Sequence, residues 1–163
     1  MGILSLPENF KIVSATAGPV TTNGGITCDY ISLKNAVKVW IVASIHNAAA
    51  HASVVAPTKA TAVAGTGVVA VTSSYKIWSN LDVSLTDTLV ARTAAVSYAV
   101  DAGVTNKLVV IEIDCQAADW NGTAYDVLGC GIATSGQATN FADILYIVEP
   151  KYQQATPPTQ ITD

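Results

Sequence analysis

The segment from Ala36 to His46 has an apolar residue at every second position, which is the period of a β-strand. One alternate set of side chains is wholly apolar and comprises Val37, Val39, Ile41, Ala43 and Ile45. The other set contains Lys38, Ser44 and His46, but also Trp40 and Val42. We therefore expect one face of this strand to lie in a core, and the second, partly apolar face to be covered by a neighbour.

A second clear strand is predicted from Lys107 to Cys115. Its two faces carry Leu108, Val110 and Glu112 on one side and Val109, Ile111 and Ile113 on the other. About eight to ten such short strands, with turn residues at intervals of about 8–12, predict an all-β antiparallel sandwich or a partly closed barrel. The core residues expected from these patterns are Val39, Ile41, Val109, Ile111, Ile113, Leu145 and Ile147.

Composition supports the same fold class and bears on the surface. Ala, Val and Thr supply 63 of the 163 residues, and such small and β-branched side chains favour strands over exposed helices. Charged residues make up 12% of the chain, about half the usual share. A free monomer normally covers itself with more charge. We therefore favour a subunit of an assembly over a small monomer with a neutral surface.

We expect the chain to divide into an N-terminal arm (1–10), a single β-sandwich domain (11–152) and a flexible tail (153–163). The arm carries Ile3, Leu4, Leu6 and Phe10 around Pro7, and we expect it to be extended and to serve as an assembly interface. The competing interpretation is that the arm folds back on its own sandwich. Residues 80–86 are predicted to be a polar connector, and the Pro157-Pro158 tail is expected to be poorly ordered.

No catalytic, cofactor-binding or metal-binding constellation is predicted. His46 and His51 are the only histidines, and with Cys28, Cys115 and Cys130 they form none of the usual zinc spacings. Cys115 and Cys130 could face each other on neighbouring strands, but we favour free thiols for all three cysteines. Glu112 and Asp114 are interpreted as a solvated or salt-bridged strand end, and no enzyme activity is expected.

The net charge of −4 argues against a nucleic-acid partner, because duplex binding rests on lysine and arginine contacts with phosphates. No apolar run is long enough to predict a membrane helix, and the start of the chain lacks the basic region of a secretory signal. Trp40, Trp78 and Trp120 could form a sugar platform, so a carbohydrate-binding module is an alternative. Packing in the core or at an interface is the favoured use of these tryptophans.

Four motifs carry a resemblance to a known group of proteins. They are DYISLKNA (29–36), AGTG (64–67), IWSN (77–80) and NKLVVIEID (106–114). In this pattern the chain resembles small β-rich virion structural proteins of tailed bacteriophages, from about Leu6 to Tyr152. The motifs are structural rather than chemical, and the Pro-Pro tail departs from the pattern.

This resemblance implies a capsid decoration (cement) protein that binds the outer surface of the major capsid shell. The implied partners are the major capsid protein and further copies of this chain, with no cofactor, nucleic acid or membrane. The protein would be made in the host bacterial cytoplasm and reside in the virion. A tail-tube, head–tail connector or fibre-associated subunit remains an alternative within the virion.

Overall fold

The alternating segments of the sequence form the strands of two antiparallel sheets that pack against each other. This computed structural model describes residues 6–103 and 105–152. Strands account for 50% of the chain and helix for 3%, so the predicted all-β class is confirmed. The arrangement as two packed sheets is a β-sandwich.

The described residues contain one helical turn followed by thirteen strands. In chain order these elements are α1 (Leu6–Asn9), β1 (Lys11–Ser14), β2 (Val20–Thr21), β3 (Ile26–Thr27), β4 (Ile31–Ser32), β5 (Ala36–Asn47), β6 (Val54–Ala60), β7 (Val69–Ala70), β8 (Tyr75–Ser79), β9 (Val90–Ala95), β10 (Tyr98–Ala99), β11 (Thr105–Asp114), β12 (Val127–Ile132) and β13 (Asn140–Pro150).

The larger sheet has seven strands in the order β1-β13-β5-β11-β8-β9, with β2 also paired to β13. Its centre is built from the three longest strands, β13, β5 and β11, which are the regions where the sequence pattern is clearest. The smaller sheet has six strands in the order β10-β6-β12-β3, with β4 paired to β12 and β7 to β6. In β12, the ring of Tyr30 occupies the space that a Cβ atom at Gly129 would need, so a glycine is required for this close approach.

The core lies between the two sheets, and most of its predicted members are there. Val39, Ile41, Val109, Ile111 and Ile113 are at most 1% exposed. The prediction is wrong for Leu145 and Ile147, which are half-buried on the opposite face of β13. In their place, the strand buries Ile144, Tyr146 and Val148. Because residues 144–148 are apolar on both faces, period two alone cannot choose the inner face.

The described part of the predicted extended arm is a helical turn, Leu6–Asn9. Proline is tolerated in the first turn of a helix, where its missing N–H would have no partner within the helix. The turn is closed by the Phe10 N–H, which donates to the Leu6 carbonyl over 2.9 Å. Ile3, Leu4 and the predicted tail at 153–163 lie outside the described residues.

Candidate assembly surface

The side of the seven-stranded sheet that faces away from the core carries many apolar side chains. We call this surface the outer face, defined by Ile12, Trp40, Val42, Trp78, Leu108, Val110, Leu145 and Ile147. Each of these residues alternates along its strand with a buried core residue. Seven of the eight are half-buried, and Ile12 is 46% exposed. The partly apolar second face expected for β5 therefore continues over four neighbouring strands.

Strand register aligns these side chains into rows. Val42 of β5 lies opposite Leu145 of β13 on one side and Val110 of β11 on the other. Val110 in turn lies opposite Trp78 of β8. Four adjacent strands at the usual spacing span about 14 Å. The row is therefore a continuous apolar strip across the middle of the sheet.

Glu112 is the acidic residue nearest the centre of the outer face, and it is neutralised there. Its carboxylate lies 3.6 Å from the Lys38 ammonium and accepts a hydrogen bond from the Trp78 indole nitrogen over 2.8 Å. The Lys38 ammonium also lies 5.6 Å from the centre of the Trp40 ring. Glu112 is thus the salt-bridged strand residue that the sequence predicted, and it leaves the centre of the face without an unpaired charge.

The connector between β8 and β9 extends this apolar surface. The apolar loop, residues 81–89, exposes Leu81 by 60%, Val83 by 55% and Leu85 by 81%. Its prediction as a polar connector missed these residues, because single apolar residues separated by Asp, Ser and Thr resemble ordinary loop composition. Large exposed apolar groups at this density commonly mark interaction sites.

The apolar loop is fixed to the sheet by hydrogen bonds. The Asn106 N–H donates to the Asp82 carboxylate over 3.1 Å, and the Val83 N–H donates to the Asn106 carbonyl over 2.7 Å. Hydrogen bonds from Ser84 lower the pKa of Asp82 below its usual value, which keeps this carboxylate ionised. A groove of about 350 Å³ separates the loop from the end of the outer face and is lined by Ser44, Ile45, His46, Val83, Ser84 and Asn106.

Of the predicted arm residues, Leu6 and Phe10 are described, and Phe10 lies against the outer face. Leu6 is 45% exposed on α1. Phe10 is half-buried, with its ring edge-on to Trp40 and the ring centres 5.7 Å apart. A second groove, of about 280 Å³, is lined by Pro7, Phe10, Lys11 and Ile12. The geometry therefore joins Phe10 to the outer face.

Trp120 does not share the outer face with the other two tryptophans. Its side chain is 7% exposed, and its indole nitrogen donates to the Tyr75 hydroxyl over 2.9 Å. The three tryptophans therefore do not form a common surface that could bind a sugar. Trp120 belongs to the interior, next to a buried charge that the sequence patterns did not reveal.

That buried charge is Asp119, whose carboxylate connects the two sheets. It accepts hydrogen bonds from the Lys59 ammonium at 2.6 Å, the Ser73 N–H at 2.8 Å and the Tyr75 hydroxyl at 3.0 Å. Burial opposes ionisation, but these bonds and those from Thr72 outweigh it and hold the pKa of Asp119 well below its usual value. Because all of these donors come from the protein itself, we interpret this cluster as structural.

The described residues contain no group of three or more metal-ligating side chains, and none of their helices is long and apolar enough to cross a bilayer. Cys28, Cys115 and Cys130 are free thiols. Cys115 and Cys130 are not on neighbouring strands, because β11 and β12 belong to different sheets.

No protein-family model matches the chain, and no curated protein or solved structure is significantly similar to it. The geometry of the outer face, the apolar loop and Phe10 is therefore the main guide to function.

Proposed function

We propose that this chain is a structural protein of a tailed-bacteriophage virion, and that it acts as a decoration protein on the outer surface of the major capsid shell. The observation that carries the proposal is the outer face. It is an apolar strip in register across four strands, with its central carboxylate already paired. The motif resemblance supports the choice of a virion over other assemblies.

The outer face has the physical properties of a protein docking surface. Fully burying a valine or leucine side chain contributes about 1.5–3 kcal/mol relative to leaving it in water. The central row offers Leu145, Val42 and Val110 together with Trp78, a residue type that often dominates binding energy. Because these side chains lie on a sheet held by long antiparallel ladders, ordering them on binding costs less than ordering a loop.

The two sheets differ in what they present to solvent. On the six-stranded sheet, the positions of β6 that alternate with its buried residues are Val54, Ala56 and Thr58. The adjacent strand β12 contains Gly129 and Gly131. Even with the exposed Val69 of β7, these small residues offer less area for a partner to bury than the two tryptophans and the large aliphatic side chains of the outer face. We therefore assign shell binding to the seven-stranded sheet, extended by the apolar loop and the arm.

On the repeating lattice of a capsid, a binding surface of modest size in each copy is sufficient for stable attachment. Many copies bound side by side can also contact one another, so that each copy gains avidity from its neighbours. Low surface charge is compatible with such close packing of identical subunits. The two proposed kinds of partner are therefore the major capsid protein and further copies of this chain.

The test is to add purified protein to particles of the encoding phage assembled without it, and to locate the added density by electron cryomicroscopy. We expect density on the outside of the head at repeated lattice positions, with the seven-stranded sheet turned towards the shell. Density confined to the tail or the connector would replace decoration with the alternative virion role. Failure to bind any part of the particle would contradict the proposal.

A further inference from the structure

Two of the three cysteines lie opposite each other in the six-stranded sheet. The antiparallel register of β12 and β3 aligns Ile132 with Ile26 and Gly131 with Thr27, and extending it by one residue beyond the end of β3 opposes Cys130 to Cys28. The ladder continues there, because the Cys28 N–H donates to the Cys130 carbonyl over 2.9 Å. Directly opposed residues in antiparallel strands have Cα atoms about 4.5–5.5 Å apart, which lies within the range a disulfide requires.

The two thiols also share an environment. Opposed residues of an antiparallel pair project from the same face of the sheet. Cys28 and Cys130 are each 2% exposed within the hydrophobic core. Contact with the Cys28 thiol, followed by burial, raises the pKa of Cys130. Tyr146 of the opposite sheet lies beside them, and burial followed by these two cysteines raises its pKa.

We propose that Cys28 and Cys130 form a redox-dependent clasp, which is a dithiol in a reducing compartment and a disulfide after exposure to a small-molecule disulfide oxidant. One thiol loses its proton, and its thiolate attacks the oxidant to form a mixed disulfide and release one oxidant thiol. The second cysteine, also as a thiolate, attacks the mixed disulfide and releases the other oxidant thiol. Two electrons pass to the oxidant, and two protons leave the cysteines.

Access to the buried pair comes through the sheet edge. β3 contains two residues and is the last strand on its side of the six-stranded sheet. Short edge elements open locally at low free energy, and we expect such an opening, which breaks the bond from the Asp29 N–H to the Ala15 carbonyl (2.9 Å), to expose Cys28 without global unfolding. Cys115 is a poor competitor because of its position: it directly follows β11 of the seven-stranded sheet, whereas Cys28 and Cys130 are opposed within the six-stranded sheet.

The bond would close a long loop. The two cysteines are separated by about 100 residues, so the disulfide would strongly restrict the unfolded chain. We expect oxidation to raise the melting temperature by roughly 10 °C. The proposal that these two cysteines can form a disulfide rests on the strand register and does not depend on the proposed function. The timing of the bond, after release of particles from a reducing cytoplasm, rests on the proposed function.

The experiment incubates the folded, reduced wild-type protein with oxidised glutathione for a day, followed by alkylation under denaturing conditions and peptide mass mapping. Cys115→Ala serves as the matched control, and Cys28→Ala and Cys130→Ala as the disrupting variants. We expect wild type and Cys115→Ala to lose two hydrogen atoms, about 2 Da, and to yield one Cys28–Cys130 linked peptide. The two disrupting variants should form no internal disulfide.

Three alkylated thiols in the treated wild type would overturn the proposal, and so would any disulfide that involves Cys115. These readings come from the wild type and hold even if a disrupting variant fails to fold. Particle binding is measured separately. Failure of the decoration role therefore leaves the clasp intact, and failure of the clasp leaves the decoration role intact.

Discussion

The two faces of the seven-stranded sheet are both apolar, but within residues 6–103 and 105–152 only one of them is covered by the second sheet. On β5, the inward residues Val39, Ile41 and Ile45 are at most 1% exposed, because the six-stranded sheet packs over them. On the same strand, Trp40 and Val42 are half-buried by their neighbours within the sheet and by Phe10. The apolar character of a strand face therefore does not show which partner covers it. The inner face supports the fold, and in the proposed function the outer face contacts another chain.

The largest expected effect comes from the interior, at Asp119. Replacing it with alanine leaves the buried Lys59 ammonium and the Tyr75 hydroxyl without their acceptor. Removing one partner of a buried pair costs about 3–5 kcal/mol. We expect Asp119→Ala to lower the free energy of unfolding by that amount in chemical denaturation, whereas the exposed Asp87→Ala should change it by less than about 0.5 kcal/mol. A loss below 1 kcal/mol for Asp119→Ala would contradict the assigned role.

The pH dependence of stability should also depend on the Asp119 carboxylate. Because folding depresses the pKa of Asp119, its contribution to stability is fully present above its unfolded value of about 3.9 and disappears as the pH falls below that value. Between pH 5 and the acid limit, wild type should lose more stability than Asp119→Asn, which has no carboxylate to protonate. Parallel losses in urea titrations across this range would show that Asp119 ionisation does not support the fold.

Alanine substitutions at the adjacent residues Ile111 and Val110 allow a direct comparison of how much each face contributes to stability. Ile111→Ala removes a core side chain that is 1% exposed and should cost about 2–5 kcal/mol. Val110→Ala acts on the half-buried outer face, where less area leaves water, and should cost about 1 kcal/mol or less. Equal losses in the unfolding free energies of the two isolated variants would mean that both faces are covered within the subunit.

The features that sequence could predict are those that depend on local periodicity. Period two identified the inner faces of β5 and β11 and the partly apolar second face of β5, but it was wrong for Val37, which lies near the start of β5 and is 40% exposed. It failed on β13, because Leu145 and Ile147 are as apolar as the residues that are buried. Tyr146 takes an inner position, and its hydroxyl donates to the Asp29 carbonyl over 3.0 Å.

Other features depend on which distant strands pair, and this cannot be derived from one sequence. The Asp119 cluster joins Lys59 and Tyr75, which lie about 60 and 44 residues away. The opposition of Cys28 and Cys130 requires the pairing of β3 with β12. The apolar loop had a local signal in Leu81, Val83 and Leu85, but only their exposure distinguishes it from an ordinary connector.

The smallest effect on stability is expected from the arm. Helix α1 has no buried residue, so deleting residues 1–9 should shift the melting temperature of the isolated subunit by no more than about 3 °C. If the arm is an assembly element, occupancy on particles should fall at the same time. A truncated subunit that melts many degrees earlier and still binds particles normally would assign the arm to its own core.

The most direct test of the outer face compares two equivalent substitutions on the two sheets. Val42→Asp introduces a carboxylate at the centre of the apolar strip, and Val69→Asp introduces one on β7 of the six-stranded sheet, where the valine is 41% exposed. With folding verified by melting temperature, binding to particles that lack the protein is measured by co-sedimentation. An unpaired charge buried in an interface should weaken binding by at least about 100-fold for Val42→Asp. Val69→Asp should bind like wild type. Equal affinity of the two variants, or a loss confined to Val69→Asp, would contradict the assignment of the outer face as the assembly surface.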